Sequence, residues 1–235
     1  MSHELRTPLN GILGFAEIIK NELFGAIDPP RYRTYAEDIH QSGKHLLTLI
    51  NDLLDLSKIE ADRMTLDIDA IETASVVGQA LRLVETLAEE RGVKIAPPDI
   101  AGCPVIHADE TQARQILLNL LSNAVKFTPD SGTVALCAAE AGDAGVVITV
   151  TDTGIGMTPQ EISKAMERFG QAEASYSKTM PGTGLGLPLV EGLVKLHGGS
   201  LVIESRKGHG TTVTVRLPWH EGLYRQPARP SAAVS

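Results

Sequence analysis

Two amides and an ammonium recur along one predicted helix at a spacing that brings them together. Asn119, Asn123 and Lys126 occupy positions i, i+4 and i+7, which lie side by side on one helix face. Amide oxygens are suitable ligands for Mg²⁺, and an ammonium suits phosphate oxygens. The apolar neighbours Leu117 and Leu120 predict that this polar strip borders a core and lines a cleft. The simpler alternative is an ordinary solvated helix face.

A carboxylate and two glycines follow a strongly apolar predicted strand. Asp152, Gly154 and Gly156 belong to the segment D-T-G-I-G, which comes directly after V-V-I-T-V-T. Glycine allows the backbone to turn and to approach a ligand closely, and a carboxylate there can accept a hydrogen bond from an amine such as that of adenine. Taken alone this motif is a weak signal, because a surface turn has the same composition.

A second glycine-rich segment precedes the last predicted helix. P-G-T-G-L-G-L places Gly182, Gly184 and Gly186 where the free N–H groups and the dipole of that helix would form an anion site. The polar, unpatterned segment 171–180 lies between the two glycine motifs, and its composition predicts a mobile lid over a ligand. Each of these segments alone has more than one interpretation, whereas their combined order along the chain favours a ligand-binding site.

A histidine lies on the polar side of the first predicted helix. At 100° per residue His3, Thr7, Asn10 and Gly14 form a strip opposite the apolar stripe of that helix. Pro8 lacks an N–H, so the backbone beside the histidine loses a hydrogen bond. We interpret this strip as a surface for another macromolecule. The alternative is a solvated helix face near a frayed terminus.

The element that carries His3 is predicted to be one arm of a helical hairpin. The segment G-A-I-D-P-P-R separates the first helix from a second one over about 31–59. There Ile39, Leu46 and Leu53 follow a coiled-coil-like spacing, and further leucines widen the apolar surface beyond what one antiparallel neighbour covers. We therefore predict a four-helix bundle made by two chains. Alternatively, the surplus leucines pack on the next domain.

The chain after about position 63 is predicted to form a mixed domain, a sheet with helices on one face. Asp109 and Gln112 provide the two acceptors of a capping box at the start of the helix that carries Asn119. The tail after Pro218 is rich in Pro, Ala and Ser and is predicted to be disordered. The predicted elements are strands at 64–71, 133–139, 146–152, 200–205 and 211–217 and helices at 73–91, 109–127 and 185–197.

Composition limits the classes of protein to which the chain can belong. A length of 235 residues, 43% of them hydrophobic, predicts one or two compact domains. The formal charge of −8 argues against nucleic acid or an anionic membrane as a partner of the chain. No apolar run reaches the roughly 18 residues that span a bilayer, and no signal peptide follows Met1, so we expect a cytoplasmic fragment. The sequence begins inside a predicted helix. We therefore expect a sensor region, with any membrane anchor, before Ser2 in the natural protein. Cys103 and Cys137 lack metal-binding spacing and predict reduced thiols.

Six segments, in this order, resemble the motifs of sensor histidine kinases. S-H-E-L-R-T-P resembles their H box, N-L-L-S-N-A-V-K-F their N box, D-T-G-I-G their G1 box, R-F-G-Q their F box and G-T-G-L-G-L their G2 box. G-T-T-V-T-V, which begins at Gly210, is similar to their last motif. The segment G-F-A-E-I-I-K-N-E-L-F-G is similar to the alphaproteobacterial kinases of the PleC and DivJ type.

The resemblance implies an α+β chain with two domains and a tail. Residues 1–62 would form the dimerisation and phosphotransfer hairpin, 63–218 an ATP-binding α/β sandwich of the Bergerat fold, and 219–235 the tail. His3 would accept the phosphoryl group of ATP, beside Glu4 as acid or base. Thr7 would position water when a response regulator is dephosphorylated.

The same resemblance assigns the ATP site. Asn123 would bind Mg²⁺, Lys126 the phosphates and Asp152 the adenine. The other positions implied to bind ATP are Asn119, Phe127, Gly154, Gly156, Phe169, Gly182, Thr183, Gly184, Leu185, Gly186 and Thr211. Met166, where an aromatic residue is common, and Pro188, in the first turn after the G2 box, depart from the family pattern. Because neither replaces a reacting group, these departures concern lid packing.

The implied activity is that of a protein-histidine kinase in two-component signalling. A homodimer would autophosphorylate on His3 with ATP and Mg²⁺, pass the phosphoryl group to an aspartate of a receiver domain, and act as a phosphatase towards it. The alternative is a catalytically weak ATP-binding scaffold that docks a receiver domain. A third alternative is an ATPase or a protein serine kinase of the same fold, but an H box on a dimerising hairpin would have no function in such an enzyme.

Overall fold

The computed structural model describes residues 2–23, 25–26, 31–103, 105–170 and 183–219, without the side chains of residues 2–8 and 31. The chain divides into two compact units, with the boundary between Met64 and Thr65. Within the described ranges, every helix is too short or too polar to cross a membrane.

The first unit is an antiparallel pair of helices, α1 (Ser2–Lys20) and α2 (Arg31–Glu60). Gly43 permits their close approach, because a Cβ atom at this position would lie 2.8 Å from Cδ2 of Leu13. His40 Nδ1 lies 3.3 Å from the carbonyl oxygen of Leu13, and Lys20, the last residue of α1, pairs at 2.5 Å with Glu37 near the start of α2. The predicted helical hairpin is confirmed.

Each helix of the hairpin keeps one apolar face exposed. In α1, Leu9, Leu13 and Ala16 are buried, whereas Ile12 and Phe15 are 51% and 70% exposed. Large exposed apolar side chains of α2 are separated by steps of three, four, seven and seven residues, which keeps them on one coiled-coil-like seam. They are Tyr32, Tyr35, Ile39, Leu46 and Leu53.

The second unit is a sheet with helices packed against it. Its elements are β1 (Asp69–Glu72), α3 (Thr73–Glu90), β2 (Lys94–Ile95), β3 (Val105–Ala108), α4 (Glu110–Phe127), β4 (Thr133–Glu140), a 3₁₀ turn (Gly142–Ala144), β5 (Val146–Asp152), α5 (Pro159–Ala165), α6 (Gly186–Leu196), β6 (Ser200–Ser205) and β7 (Thr211–Leu217).

The main sheet has the strand order β2-β4-β5-β7-β6. β2 runs parallel to β4, and the other neighbours are antiparallel. β1 and β3 form a separate antiparallel pair. α4 packs between α3 and α6 and contacts β4 and β5, so the sheet and these helices enclose one core.

The core fixes the rotation of α4 about its axis. Leu117, Leu120 and Leu121 are almost completely buried. Leu189 and Leu193 of α6 are buried beside them. Because the apolar face of α4 is held in this way, its polar strip lies at the edge of the core, half-buried.

The strand predicted over 64–71 is wrong in extent, since β1 spans only Asp69–Glu72. The N–H of Asp67 donates to Oδ2 of Asp109 at 3.1 Å instead of to a neighbouring strand. Apolar and polar residues alternate here as in a strand, but the backbone N–H of Asp67 bonds to a side chain and not to the backbone of a neighbouring strand. Periodicity alone does not distinguish a strand from an extended segment of this kind.

The capping box predicted at Asp109 forms only in half. Oδ1 of Asp109 accepts from the N–H of Gln112 at 3.0 Å. The N–H of Asp109 donates to Nε2 of the buried His197 at 3.2 Å, so it is not available to Gln112. Oε1 of Gln112 is buried with no hydrogen-bond partner among the described residues. The bond to His197 ties the start of α4 to the end of α6.

The predicted disordered tail begins at least one residue too early. The indole N–H of Trp219 donates to the carbonyl oxygen of Gly142 at 2.8 Å, and its ring meets the ring of His107 edge-on, with 5.0 Å between centroids. Residues 220–235 of the predicted tail lie outside the described residues.

Candidate functional site

The first residue of α6 lies against the polar strip of α4. A Cβ atom on Gly186 would be 3.1 Å from Oδ1 of Asn119 and 3.6 Å from Nδ2 of Asn123. Two segments that are distant in sequence therefore meet at the N-terminal end of α6. The absence of a side chain at this position keeps the strip open.

One N–H of the Asn119 amide is engaged, and the amide oxygen is directed towards α6. Its Nδ2 donates to the carbonyl oxygen of Gln115 at 3.0 Å, which leaves Oδ1 on the side of Gly186. The first N–H groups of a helix have no partner within the helix and attract anions. Oδ1 of Asn119 and these N–H groups together suit a metal ion and the phosphate oxygens that share it.

Lys126 adds a cation to the strip. Burial, reinforced by the nearby charge of Arg91, lowers its pKa. Nζ lies 5.3 Å from the centroid of the Phe127 ring, and Nη1 of Arg91 donates to the carbonyl oxygen of Lys126 at 3.2 Å. The half-buried ammonium of Lys126, with the guanidinium of Arg91 nearby, favours an anionic ligand at this end of α4.

Asp152 ends β5 with its carboxylate held by backbone donors. Oδ1 accepts from the N–H of Gly154 at 2.7 Å and from the N–H of Thr211 at 3.2 Å. Burial raises the pKa of Asp152, and these two hydrogen bonds oppose the increase. Both bonds end on Oδ1, so among the described contacts Oδ2 is left to accept from a ligand.

Two glycines after Asp152 are required by close backbone contacts. A Cβ atom on Gly154 would lie 2.5 Å from the carbonyl oxygen of Phe127. Gly156 has a φ of +61°, and a Cβ atom there would lie 2.0 Å from the carbonyl oxygen of Arg206. The D-T-G-I-G segment is thus a tightly packed turn, which holds Asp152 beside the end of α4.

Phe169 and Gly184 join the two sides of the predicted lid. The N–H of Phe169 donates to the carbonyl oxygen of Gly184 at 3.0 Å. A Cβ atom on Gly184, which has a φ of +67°, would lie 2.7 Å from the carbonyl carbon of Phe169. Next to them, Oγ1 of Thr183 accepts from the N–H of Leu185 at 3.1 Å.

Several predicted site residues lie outside the described part of the chain. They are Gly182, the lid segment 171–180, and the side chains of His3, Glu4 and Thr7, whose backbone belongs to α1. Their assigned roles therefore stay predictions.

Sequence reasoning missed Arg91 and Ser205. Arg91 follows α3 and reaches Lys126, and Oγ of Ser205 contacts the N–H of Met157 and the hydroxyl of Thr211. Ser205 is the last residue of a strand predicted with the correct ends, but its partners depend on the register between β6 and β7. No local pattern encodes that register.

Comparison with known proteins supports this arrangement. Residues 1–62 match the His Kinase A (phospho-acceptor) domain, and residues 108–221 match the family of histidine kinase-, DNA gyrase B- and HSP90-like ATPases. The chain belongs to the histidine kinases. The predictions of the family and of a helical region followed by an ATP-binding α/β domain are confirmed.

Two curated relatives come from Caulobacter vibrioides. The chain is 48% identical to the non-motile and phage-resistance protein over 93% of its own length and 26% of the relative. It is 46% identical to histidine protein kinase DivJ over 93% of its own length and 36% of the relative. The chain therefore spans about a quarter to a third of these relatives.

Solved structures share the fold of this chain. The full-length ShkA structure, determined in complex with AMPPNP, has a TM-score of 0.77 and 35% identity and covers 92% of this chain and 44% of that one. Histidine kinase AdeS of Acinetobacter baumannii has a TM-score of 0.63 at 19% identity, which shows the fold alone.

Proposed function

We propose that this chain is the catalytic core of a two-component histidine kinase, which autophosphorylates on His3 and transfers the phosphoryl group to an aspartate of a receiver domain. The observation that carries the proposal is the meeting of Asn119 and Gly186, which joins an amide strip to a helix N-terminus. This arrangement stands in a chain whose first 62 residues match the phospho-acceptor domain.

ATP would bind along the second unit with its adenine at Asp152 and its phosphates at Lys126 and α6. Oδ2 of Asp152 can accept from the adenine amine, because Oδ1 is held by Gly154 and Thr211. Gly182, Thr183, Gly184 and Leu185 lead into the helix end that would receive the phosphates. The relative ShkA was crystallised with AMPPNP, an analogue of ATP.

Mg²⁺ fits the residues of α4. Oδ1 of Asn119 lies towards α6 while one N–H of its amide is engaged elsewhere, and the Asn123 amide lies beside it with Nδ2 towards α6, so a rotation of this amide would present its oxygen to the ion. Hard amide oxygens, completed by phosphate oxygens and water, are the donors that Mg²⁺ prefers. Asn123, with Asn119 beside it, would hold the ion, and bound there it would neutralise charge on the phosphates.

In the proposed phosphoryl transfer, His3, Glu4 and Lys126 have distinct roles. A ring nitrogen of His3 attacks the γ-phosphorus, the bond from that phosphorus to the β–γ bridging oxygen breaks, and ADP leaves. Glu4 orients the imidazole and takes the proton that it loses, which leaves a neutral phosphoramidate ring. Lys126 stabilises the charge on the phosphates during the transfer.

The hairpin would serve two further partners. Its exposed seam, which includes Ile39, Leu46 and Leu53, is suited to a second copy of the chain, and burying it would complete a four-helix bundle. The strip of His3, Thr7, Asn10 and Gly14 would receive the receiver domain, where Thr7 would orient water for dephosphorylation. Since ATP is the phosphoryl donor, we assign the chain to the cytoplasm.

Incubation with γ-labelled ATP and a candidate receiver protein tests this function. Acid-labile label should form on the chain and move to the receiver, where it becomes base-labile. The competing function, a scaffold that binds ATP and docks a receiver, predicts ATP binding by calorimetry with no label on either protein.

A further inference from the structure

The helices α4 and α6 meet at two points that are far apart along their axes. At one point the N–H of Asp109, the residue before α4, donates to Nε2 of His197, the residue after α6, at 3.2 Å. At the other point Gly186, the first residue of α6, lies against Asn119. The start of α4 therefore faces the end of α6, and the two helices run antiparallel.

The two points are separated by nearly the same length on both helices. Asn119 comes ten residues after Asp109, and Gly186 comes eleven residues before His197. At about 1.5 Å per residue these separations are about 15 Å on α4 and about 16.5 Å on α6. Because a helix is stiff along its axis, holding His197 at the start of α4 also sets the position of Gly186 relative to Asn119.

The imidazole of His197 is buried, and two backbone groups define its tautomer. Only 1% of this residue is exposed, and Nδ1 lies 2.8 Å from the carbonyl oxygen of Leu193, one turn earlier in α6. A carbonyl oxygen can only accept and a backbone N–H can only donate. Nδ1 therefore carries the proton, and Nε2 accepts from the N–H of Asp109. Hydrogen bonds on both sides of the ring fix its orientation.

The chain on each side of this bond is itself held in place. After His197 it turns through Gly198, which has a φ of +73°, and Gly199 into β6. A Cβ atom on Gly199 would lie 2.1 Å from the carbonyl oxygen of Arg216, so this turn is packed directly on β7. On the other side, the carboxylate of Asp109 caps α4. The C-terminal end of α6 is thus anchored, while its N-terminal end faces the proposed site.

We propose that His197 is a positioning residue, which sets the register of α6 against α4 and so keeps Gly186 at the distance from Asn119 that Mg²⁺ and phosphates require. This inference rests on the proposed function, which places the ion and the phosphates there. An amide oxygen of α4 and phosphate oxygens held on α6 must reach the ion together, so its contribution to affinity depends on the register. The adenine position at Asp152 is held by β5 and β7 instead.

Calorimetric titration of the whole chain with ATP, once with Mg²⁺ and once with EDTA, tests this role. The ratio of the metal-free to the MgATP dissociation constant measures what the ion contributes to binding. His197→Leu removes the acceptor for the N–H of Asp109, so MgATP binding should weaken by about three- to tenfold and metal-free binding by less, which lowers the ratio. His197→Gln retains an acceptor oxygen within reach of the same N–H and should restore the wild-type ratio.

Two further variants separate this role from a general loss of stability. His197→Asn has the amide of His197→Gln on a side chain one methylene shorter, which does not reach Asp109, so it should lower the ratio as His197→Leu does. Val84→Ala truncates a buried side chain of α3, so it should lower the unfolding temperature of the same unit and leave the ratio unchanged.

The outcomes for His197 and for the proposed function are distinct. Equal losses of affinity with and without Mg²⁺ in His197→Leu and His197→Asn would overturn the proposal, as would unchanged affinities in both. A ratio that His197→Gln does not restore would also overturn it. A wild-type chain that binds no ATP, or that binds it equally well without Mg²⁺, would instead contradict the proposed site itself.

Discussion

Gly186 stands so close to Asn119 that a single methyl group would fill the space between them. The hypothetical Cβ atom lies 3.1 Å from Oδ1 of Asn119, closer than side chains normally approach. This contact joins the start of α6 to the polar strip of α4, and the proposed site for phosphates and Mg²⁺ depends on the gap remaining open.

Gly186→Ala should weaken MgATP binding by roughly tenfold while the fold stays intact. Alanine is the better helix former, so any change in unfolding free energy should be small or favourable. Gly78→Ala in α3 is the matched control, because its Cβ atom would meet only the flexible end of Arg82, at 3.6 Å. Calorimetry with MgATP and thermal unfolding should both be measured. Equal ATP affinity in the two variants would show that the gap has no role in binding.

Asp152→Asn should convert the adenine position from an acceptor into a donor. The two backbone N–H groups will keep the amide oxygen in the place of Oδ1, so the amide nitrogen must take the place of Oδ2. ATP affinity should fall by about tenfold or more, whereas affinity for ITP, which carries an oxygen in place of the 6-amino group, should fall less. Titration with both nucleotides measures this, and a uniform loss would indicate a general loss of structure at the end of β5.

Asp52 should make the stability of the hairpin depend on pH. Burial, reinforced by the charge of Asp55, raises the pKa of Asp52 from its ordinary 3.8 to about 6. A carboxyl with a higher pKa in the folded state destabilises that state fully above about pH 6, and the penalty disappears as the pH falls towards 4. Asp52→Asn should therefore stabilise the hairpin at pH 7.5 by roughly 1–2 kcal/mol, and by less at pH 5.

Thermal unfolding of Asp52→Asn at the two pH values, followed by helical circular dichroism, gives this difference directly. Asp38→Asn, at an exposed position of the same helix, is the control for the loss of one carboxylate from α2. A stability gain for Asp52→Asn that is the same at both pH values would mean that Asp52 does not titrate in this range.

Much of the fold was accessible from the sequence because its helices and strands bury regular faces. β5, β6 and β7 begin and end as their alternation predicts, and the apolar face of α4 orients Asn119 as expected. The bond between Asp67 and Asp109, and that between Asp109 and His197, were not predictable, since each joins residues far apart in the chain. Ser205 was missed for the same reason: its partners are set by strand register.

The exposed seam of α2 shows a different limit of sequence reasoning. Ile39, Leu46 and Leu53 have the periodicity of buried residues, yet they are 50%, 48% and 40% exposed in the single chain. The pattern identifies a surface that is suited to burial without stating what covers it. A second copy of the chain would bury these positions in the dimeric bundle that we propose.

Thr7→Ala should separate the two activities proposed for the hairpin. Its hydroxyl would orient water towards the phosphorylated receiver, whereas labelling of His3 needs no such water. The variant should accept label from ATP at the wild-type rate and dephosphorylate the receiver at least about tenfold more slowly. A matched loss in both assays would mean that Thr7 acts through the local helix beside Pro8 instead.

Labelling of His3→Gln by γ-labelled ATP tests the central claim most directly. Wild type and variant should bind MgATP with equal affinity by calorimetry, because the substitution lies in the first unit and the nucleotide residues lie in the second. The wild-type chain should then gain acid-labile, base-stable label, and His3→Gln should gain none. Acid-labile label persisting on His3→Gln would place the phosphoacceptor at another residue and contradict this account.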